Sequence, residues 1–142
     1  MPTRNATAKW EGGFKGGKGT FNAESGSIGG QYSVGSRFEN GTGSNPEELL
    51  AAAEAACFSM ALSGSLERNG TPSTSVETRA ACTIEKVGDG FSITRMKLDV
   101  SASVPNIDEA KFHEIANATL VGCPVSKALK GNMEIQITAR LV

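Results

Sequence analysis

Apolar and polar residues alternate in three short segments at the start of the chain. Residues 5–11 (NATAKWE), 19–24 (GTFNAE) and 31–38 (QYSVGSRF) each carry the period-two pattern of a half-buried strand. Glycine-punctuated stretches, GGFKGGKG and SGSIGG, separate them as turns. The pattern predicts a small antiparallel meander.

The period then changes. Asn45-Pro46-Glu47-Glu48 is a helix start: Asn45 can cap, Pro46 has the right φ for the first helical position, and Glu48 can complete a capping box. The helix runs on through LLAAAEAACFSMALSGSLER and is expected to stop near Asn69-Gly70, with glycine as a left-handed cap. Its expected buried stripe is Leu50, Ala53, Cys57, Met60, Ala61 and Gly64, widened by Leu49, Ala52 and Ala56. These are mostly small residues, which let a second helix approach closely. A helix lying on one sheet face does not require that.

Beyond Thr71-Pro72, residues 74–86 and 91–104 alternate again around VGDG and predict a hairpin. Ile107 to Leu120 reads as a second helix, interrupted by Val121-Gly122-Cys123-Pro124-Val125. Ser126 to Lys130 is a short helical turn, and Asn132 to Val142 a last strand. The order β-β-β-α-β-β-α-β predicts one α+β domain over 1–142, with two helices against mostly antiparallel sheet.

Composition narrows the chemistry. With 14 Lys+Arg against 15 Asp+Glu, the net charge of -1 argues against a nucleic-acid or anionic-membrane binder. No uninterrupted apolar run approaches the ~18 residues of a membrane span. The N-terminal MPTRNATAKWEGG has no apolar core for a secretory signal. A single histidine, His113, excludes multi-histidine metal sites. Aromatics at 6% are thin for a carbohydrate or single-stranded nucleic-acid platform. Three cysteines, an odd number with no signal peptide, fit a reducing cytoplasm. Their spacing with His113 fits no zinc knuckle.

Two of the cysteines occupy special positions. Cys57 lies on the expected stripe of the long helix. Cys123 precedes Pro124 and so falls near the N-cap of the last helical turn, where free backbone N–H groups and the helix dipole would lower a thiol pKa. The competing reading is that each is a small buried hydrophobe. Cys82, on an alternating strand, is expected to be core. A thiolate wants a neighbouring cation, and a carboxylate can hold that cation. Arg37 and Glu47 are candidates, though each also reads as an ordinary strand-end or first-turn charge.

The segment SRFENGTGSNPEELLAAAEAACFSMALS, together with VGCPVSKAL, resembles the OsmC/Ohr family, the osmotically inducible and organic hydroperoxide resistance proteins. The N-terminal AKWEGGFKGGKGTFNAESG and the hairpin IEKVGDGFSITRMKLDVSASVPNID resemble the osmotically inducible branch. The resemblance implies an intertwined homodimer of α+β subunits with two sites at the subunit interface. It also implies a thiol peroxidase that reduces organic hydroperoxides and, to varying degrees, hydrogen peroxide, with no metal, haem or flavin. On this resemblance Cys57 matches the peroxidatic cysteine, Cys123 the resolving one, Glu47 the acid and Arg37 the arginine of this branch. The other branch carries its arginine in the first glycine-rich turn, where this chain has Lys18 as a second candidate.

The implied cycle begins with a Cys57 thiolate that Arg37, oriented by Glu47, stabilises. It passes through a Cys57 sulfenic acid and a disulfide to Cys123, and an external dithiol such as a lipoyl or small thiol donor closes it. Phe38, Phe58 and Met60 are candidates for an apolar wall beside an alkyl hydroperoxide. The alternative is a non-enzymatic small-molecule-binding or structural dimer with the cysteines in its core. Ten residues of continuous helix would separate Glu47 from Cys57 by about 15 Å along the axis and about 80° around it. An alanine-rich run invites no break, so Glu47 is expected to complete the site of a partner subunit.

Overall fold

A computed structural model describes all 142 residues, Met1–Val142. The chain forms two units, Met1–Leu49 and Leu50–Val142.

In the first unit the meander is β1 (Ala6–Glu11), β2 (Lys18–Ala23) and β3 (Gly29–Tyr32), antiparallel in the order β1-β2-β3. Tyr32 stacks at 5.6 Å from Trp10 and 6.1 Å from Phe21, measured between ring centroids. Gly19 makes room for it, since a Cβ there would lie 2.3 Å from the tyrosine ring. The third strand is shorter than its alternation suggests. Val34–Phe38 is a helical turn, α1, rather than strand. Ser33 causes the switch through a capping box: Ser36 N–H donates to Ser33 Oγ at 3.0 Å, and Ser33 N–H donates to Ser36 Oγ at 2.9 Å. Arg37 therefore stands on a helical turn.

The long helix α2 is unbroken over Pro46–Arg68. Asn45 caps it by accepting the Glu48 N–H at 2.8 Å. Glu48 does not reach back as a box partner; its carboxylate accepts the Ser44 hydroxyl at 2.6 Å instead. At the far end Thr71 N–H reaches Leu66 O and Gly70 N–H reaches Glu67 O, around a Gly70 with φ +80°. This is a Schellman ending. By length and composition α2 could cross a bilayer, which the count of uninterrupted apolar residues missed. Its Phe58, Leu62 and Leu66 instead pack in the core of the second unit.

That core-facing row differs from the expected stripe. Glu54, Phe58, Leu62 and Leu66 are fully buried, at steps of four. Ala52, Ala53, Ala56 and Met60 are exposed. The bulky side chains fill the space over the sheet, and the small-residue face is left uncovered.

In the second unit β4 (Ser75–Val87) and β5 (Gly90–Ser103) form the expected hairpin, closed by Val87 opposite Gly90 and bulged between Thr83 and Ile84. α3 (Glu109–Gly122), capped by Asp108, and α4 (Pro124–Leu129) lead to β6 (Glu134–Leu141). β6 returns beside β5 in parallel register, giving the order β4-β5-β6. Met96, Leu98 and Val100 of β5 and Phe112 and Ala116 of α3 complete the core. Cys82 packs against its edge, as expected.

Candidate active site

The second unit brings two thiols together. Cys57 lies on α2, beside the buried row. Cys123 is the single residue between α3 and α4, with φ −60° and ψ 126°, so it caps both helices. Its N–H donates to Thr119 O at 2.8 Å, and its carbonyl accepts from Lys127 N–H at 2.9 Å. Pro124 at the first position of α4 fixes the exit of the chain. With its backbone held on both sides, Cys123 places its thiol in hydrogen-bond contact with the Cys57 thiol, Sγ to Sγ at 2.9 Å. Cys123 is 1% exposed, while Cys57 is half-buried.

The hydrogen bonding differs from that expected of the α4 start. Cys123 makes no side-chain cap bond. A backbone hydrogen bond from Val125 goes to Cys57 instead. Burial pushes the Cys57 thiol above its ordinary value, and the hydrogen bond it shares with the Cys123 thiol pushes the same way. The Val125 bond opposes them, and the nearby charges of Cys123 and Glu54 add to the rise.

Sequence reasoning missed two neighbours. Glu54, three residues before Cys57, is fully buried, and its Oε1 accepts the hydroxyl of Ser126. Its Oε2 is buried without a hydrogen-bond partner. Ser126, three residues after Cys123, is 3% exposed. A signal was present: an acid stands in the step-of-four row with Phe58, Leu62 and Leu66.

The first unit holds the other expected pair. Arg37 Nε lies 3.2 and 3.3 Å from the two Glu47 oxygens, and Nη2 donates to Oε1 at 2.8 Å. Glu47 is 5% exposed, so the ion pair is shielded on the acid side while the guanidinium keeps an open edge. The guanidinium carbon sits 5.3 Å from the Phe38 ring centroid, in cation–π range. Arg37 and Phe38 line a cavity of about 230 Å³ with Trp10, Phe14, Tyr32 and Val34. Lys18 is exposed at the first position of β2.

The three candidate wall residues part company. Phe38 lines that cavity. Met60, 75% exposed, lines an open groove of about 660 Å³ between α2 and α3, together with Ala61, Gly64, Ile115 and Cys123. Phe58 has no exposed surface and packs in the core.

Paired thiols at a helix junction on an α+β scaffold define a dithiol protein. Residues 39–138 match the family model described as OsmC-like protein, and the chain belongs to that family. It is 45% identical to the peroxiredoxin OsmC of Escherichia coli K12 over 133 residues, covering 93% of each chain. It is 33% identical to the organic hydroperoxide resistance protein OhrB of Bacillus subtilis over 100 residues, 70% of this chain and 71% of that one. The crystal structure of OhrB superimposes with a TM-score of 0.70 at 27% identity, over 96% of this chain and 98% of the other. An organic hydroperoxide resistance protein from Elizabethkingia anophelis shares the fold, with a TM-score of 0.76 at 23% identity over 100% and 98% of the two chains.

Proposed function

We propose that this protein is a cysteine-based peroxidase that reduces organic hydroperoxides, and hydrogen peroxide to a varying degree. The observation that carries the reading is the 2.9 Å approach of the Cys57 and Cys123 sulfurs. It is supported by relatives called peroxiredoxin and organic hydroperoxide resistance protein.

In this reading the Cys57 thiolate attacks the peroxide O–O bond. The alcohol leaves, and the sulfur keeps one oxygen as sulfenic acid. Cys123 is the nearest thiol and condenses with it, releasing water. A dithiol donor, a lipoyl group or a small thiol compound, reduces the disulfide by exchange, in a reducing cytoplasm and without a metal or organic cofactor. Phe38 and Met60 contribute apolar surface for the alkyl group.

Attack needs a thiolate, yet burial holds the Cys57 proton in place, so a neighbouring cation is required. Arg37, oriented by Glu47, is the cation we assign to that task. Glu47 and Cys57 stand ten residues apart on one unbroken helix, about 15 Å along its axis. This favours delivery of the Arg37–Glu47 pair by a second copy of the chain, in a homodimer that covers the small-residue face of α2.

The test is peroxide consumption with a dithiol donor, by wild type and Cys57→Ser. The reading requires turnover by the first and none by the second. A folded wild-type protein that consumes neither alkyl hydroperoxide nor hydrogen peroxide would be a binding or structural dimer instead.

A further inference from the structure

We infer that Glu54 is a positioning residue for the resolving step, clamping α4 to α2 through Ser126 so that Cys123 stays within reach of the oxidised Cys57. The inference rests on the peroxidase reading above.

Two ties join the helices. Cys57 meets Cys123 at 2.9 Å, and Glu54 Oε1 meets the Ser126 hydroxyl. Glu54 lies three residues before Cys57 on α2, and Ser126 three residues after Cys123 at the start of α4. The ties are therefore adjacent rungs, one helical turn apart on each side.

The clamp has a physical cost that plain packing would not incur. Glu54 occupies the row of Phe58, Leu62 and Leu66, where an apolar side chain would fit. It is fully buried, and one of its oxygens has no hydrogen-bond partner. A buried, half-satisfied carboxyl destabilises a core. What it contributes is a directional bond to the segment that carries the second thiol.

The resolving step explains why a tie is needed there. When Cys57 becomes a sulfenic acid, its oxygen enters the space beside Cys123. The Cys123 sulfur must then supply the electron pair of the new S–S bond. The Cys57 S–O bond breaks, and the oxygen leaves as water with its own hydrogen and the Cys123 proton. The sulfurs must close from 2.9 Å to about 2.05 Å. Were the start of α4 free to move off α2, the oxygen would wedge the thiols apart. The Glu54–Ser126 rung resists that.

The experiment compares wild type with Glu54→Gln, Glu54→Met and Ser126→Ala. The glutamine keeps an acceptor for Ser126; the other two variants remove the rung. Each protein receives one equivalent of cumene hydroperoxide in the presence of dimedone, and adduct and disulfide are counted by intact mass. Wild type and Glu54→Gln should go to disulfide with little adduct. Glu54→Met and Ser126→Ala should form disulfide about tenfold more slowly, as expected for a slightly misplaced reacting pair, and accumulate adduct. Ser126→Ala reads the same rung if Glu54→Met does not fold.

A second readout does not depend on peroxide. Equilibration with glutathione gives the Cys57–Cys123 potential, and a tenfold loss of proximity makes it about 30 mV less reducing. Rung-less variants with wild-type resolution and potential overturn the inference. So does a Glu54→Gln protein as slow as Glu54→Met, which would implicate the charge. If wild type itself ignores peroxide, the peroxidase reading fails, and the potential still decides the clamp.

Discussion

The Cys57 and Cys123 thiols share a hydrogen bond across 2.9 Å, although 66 positions of sequence lie between them. Their surroundings make the two sulfurs unequal. Cys57 is partly open and takes the backbone hydrogen bond from Val125. Cys123 is buried at the junction of two helices. An oxidant from solvent therefore meets Cys57 first.

The two single-cysteine variants should behave differently. Cys57→Ser is expected to lose all turnover with every peroxide. Cys123→Ser should consume one equivalent and stop, leaving a sulfenic acid that dimedone traps. Sustained turnover by Cys123→Ser with a dithiol would remove Cys123 from the cycle.

The pH dependence follows from the raised Cys57 thiol. Only the thiolate attacks, so the single-turnover rate should climb with pH through the Cys57 transition. Arg37→Ala withdraws the assigned cation and should move that transition to higher pH. Glu54→Gln removes a charge that raises the thiol pKa and should move it to lower pH. Stopped-flow rates over a pH series read both shifts, and an Arg37→Ala profile that overlays wild type would discharge Arg37 from the task.

Glu47 offers a test of which subunit serves which. Cys57→Ser and Glu47→Ala proteins, each inactive, should regain activity when their subunits are allowed to exchange. In a shared site one half of each heterodimer carries neither lesion. A mixture that stays inactive, or a sedimentation profile at 14.7 kDa for the active protein, would place both residues in one chain's service.

Cys82 should matter only to stability. It is half-buried on β4, opposite Met96. Cys82→Ala should cost about 1 kcal/mol, seen as a fall of about 3 °C in Tm. Activity per folded molecule should hold.

Much of the fold could be read from periodicity, because long alternating and capped segments leave little choice. The β4–β5 hairpin and the Asn45-capped helix are of this kind. Three features were harder. Val34–Phe38 alternates like a strand, and only the Ser33–Ser36 reciprocal bonds turn it into a helix. The face of α2 is hard to read because small residues outnumber large ones along the helix, while burial follows the bulk of Phe58, Leu62 and Leu66. Register cannot say that β6 runs parallel to β5, since the crossover through α3 and α4 decides it. Among the candidate residues, Cys57, Cys123, Arg37 and Glu47 stand out through recognisable motifs. Glu54 and Ser126 do not, because their meaning lies in a contact across 72 positions.

The length of chain between the thiols has a thermal consequence. A Cys57–Cys123 bond would close a loop of 66 positions, and restricting the unfolded chain by that much favours the folded state by about 4 kcal/mol. Oxidation would therefore harden the protein against heat, and its reductant would soften it again. A melting curve would serve as a gauge of redox state, with the oxidised form unfolding at the higher temperature.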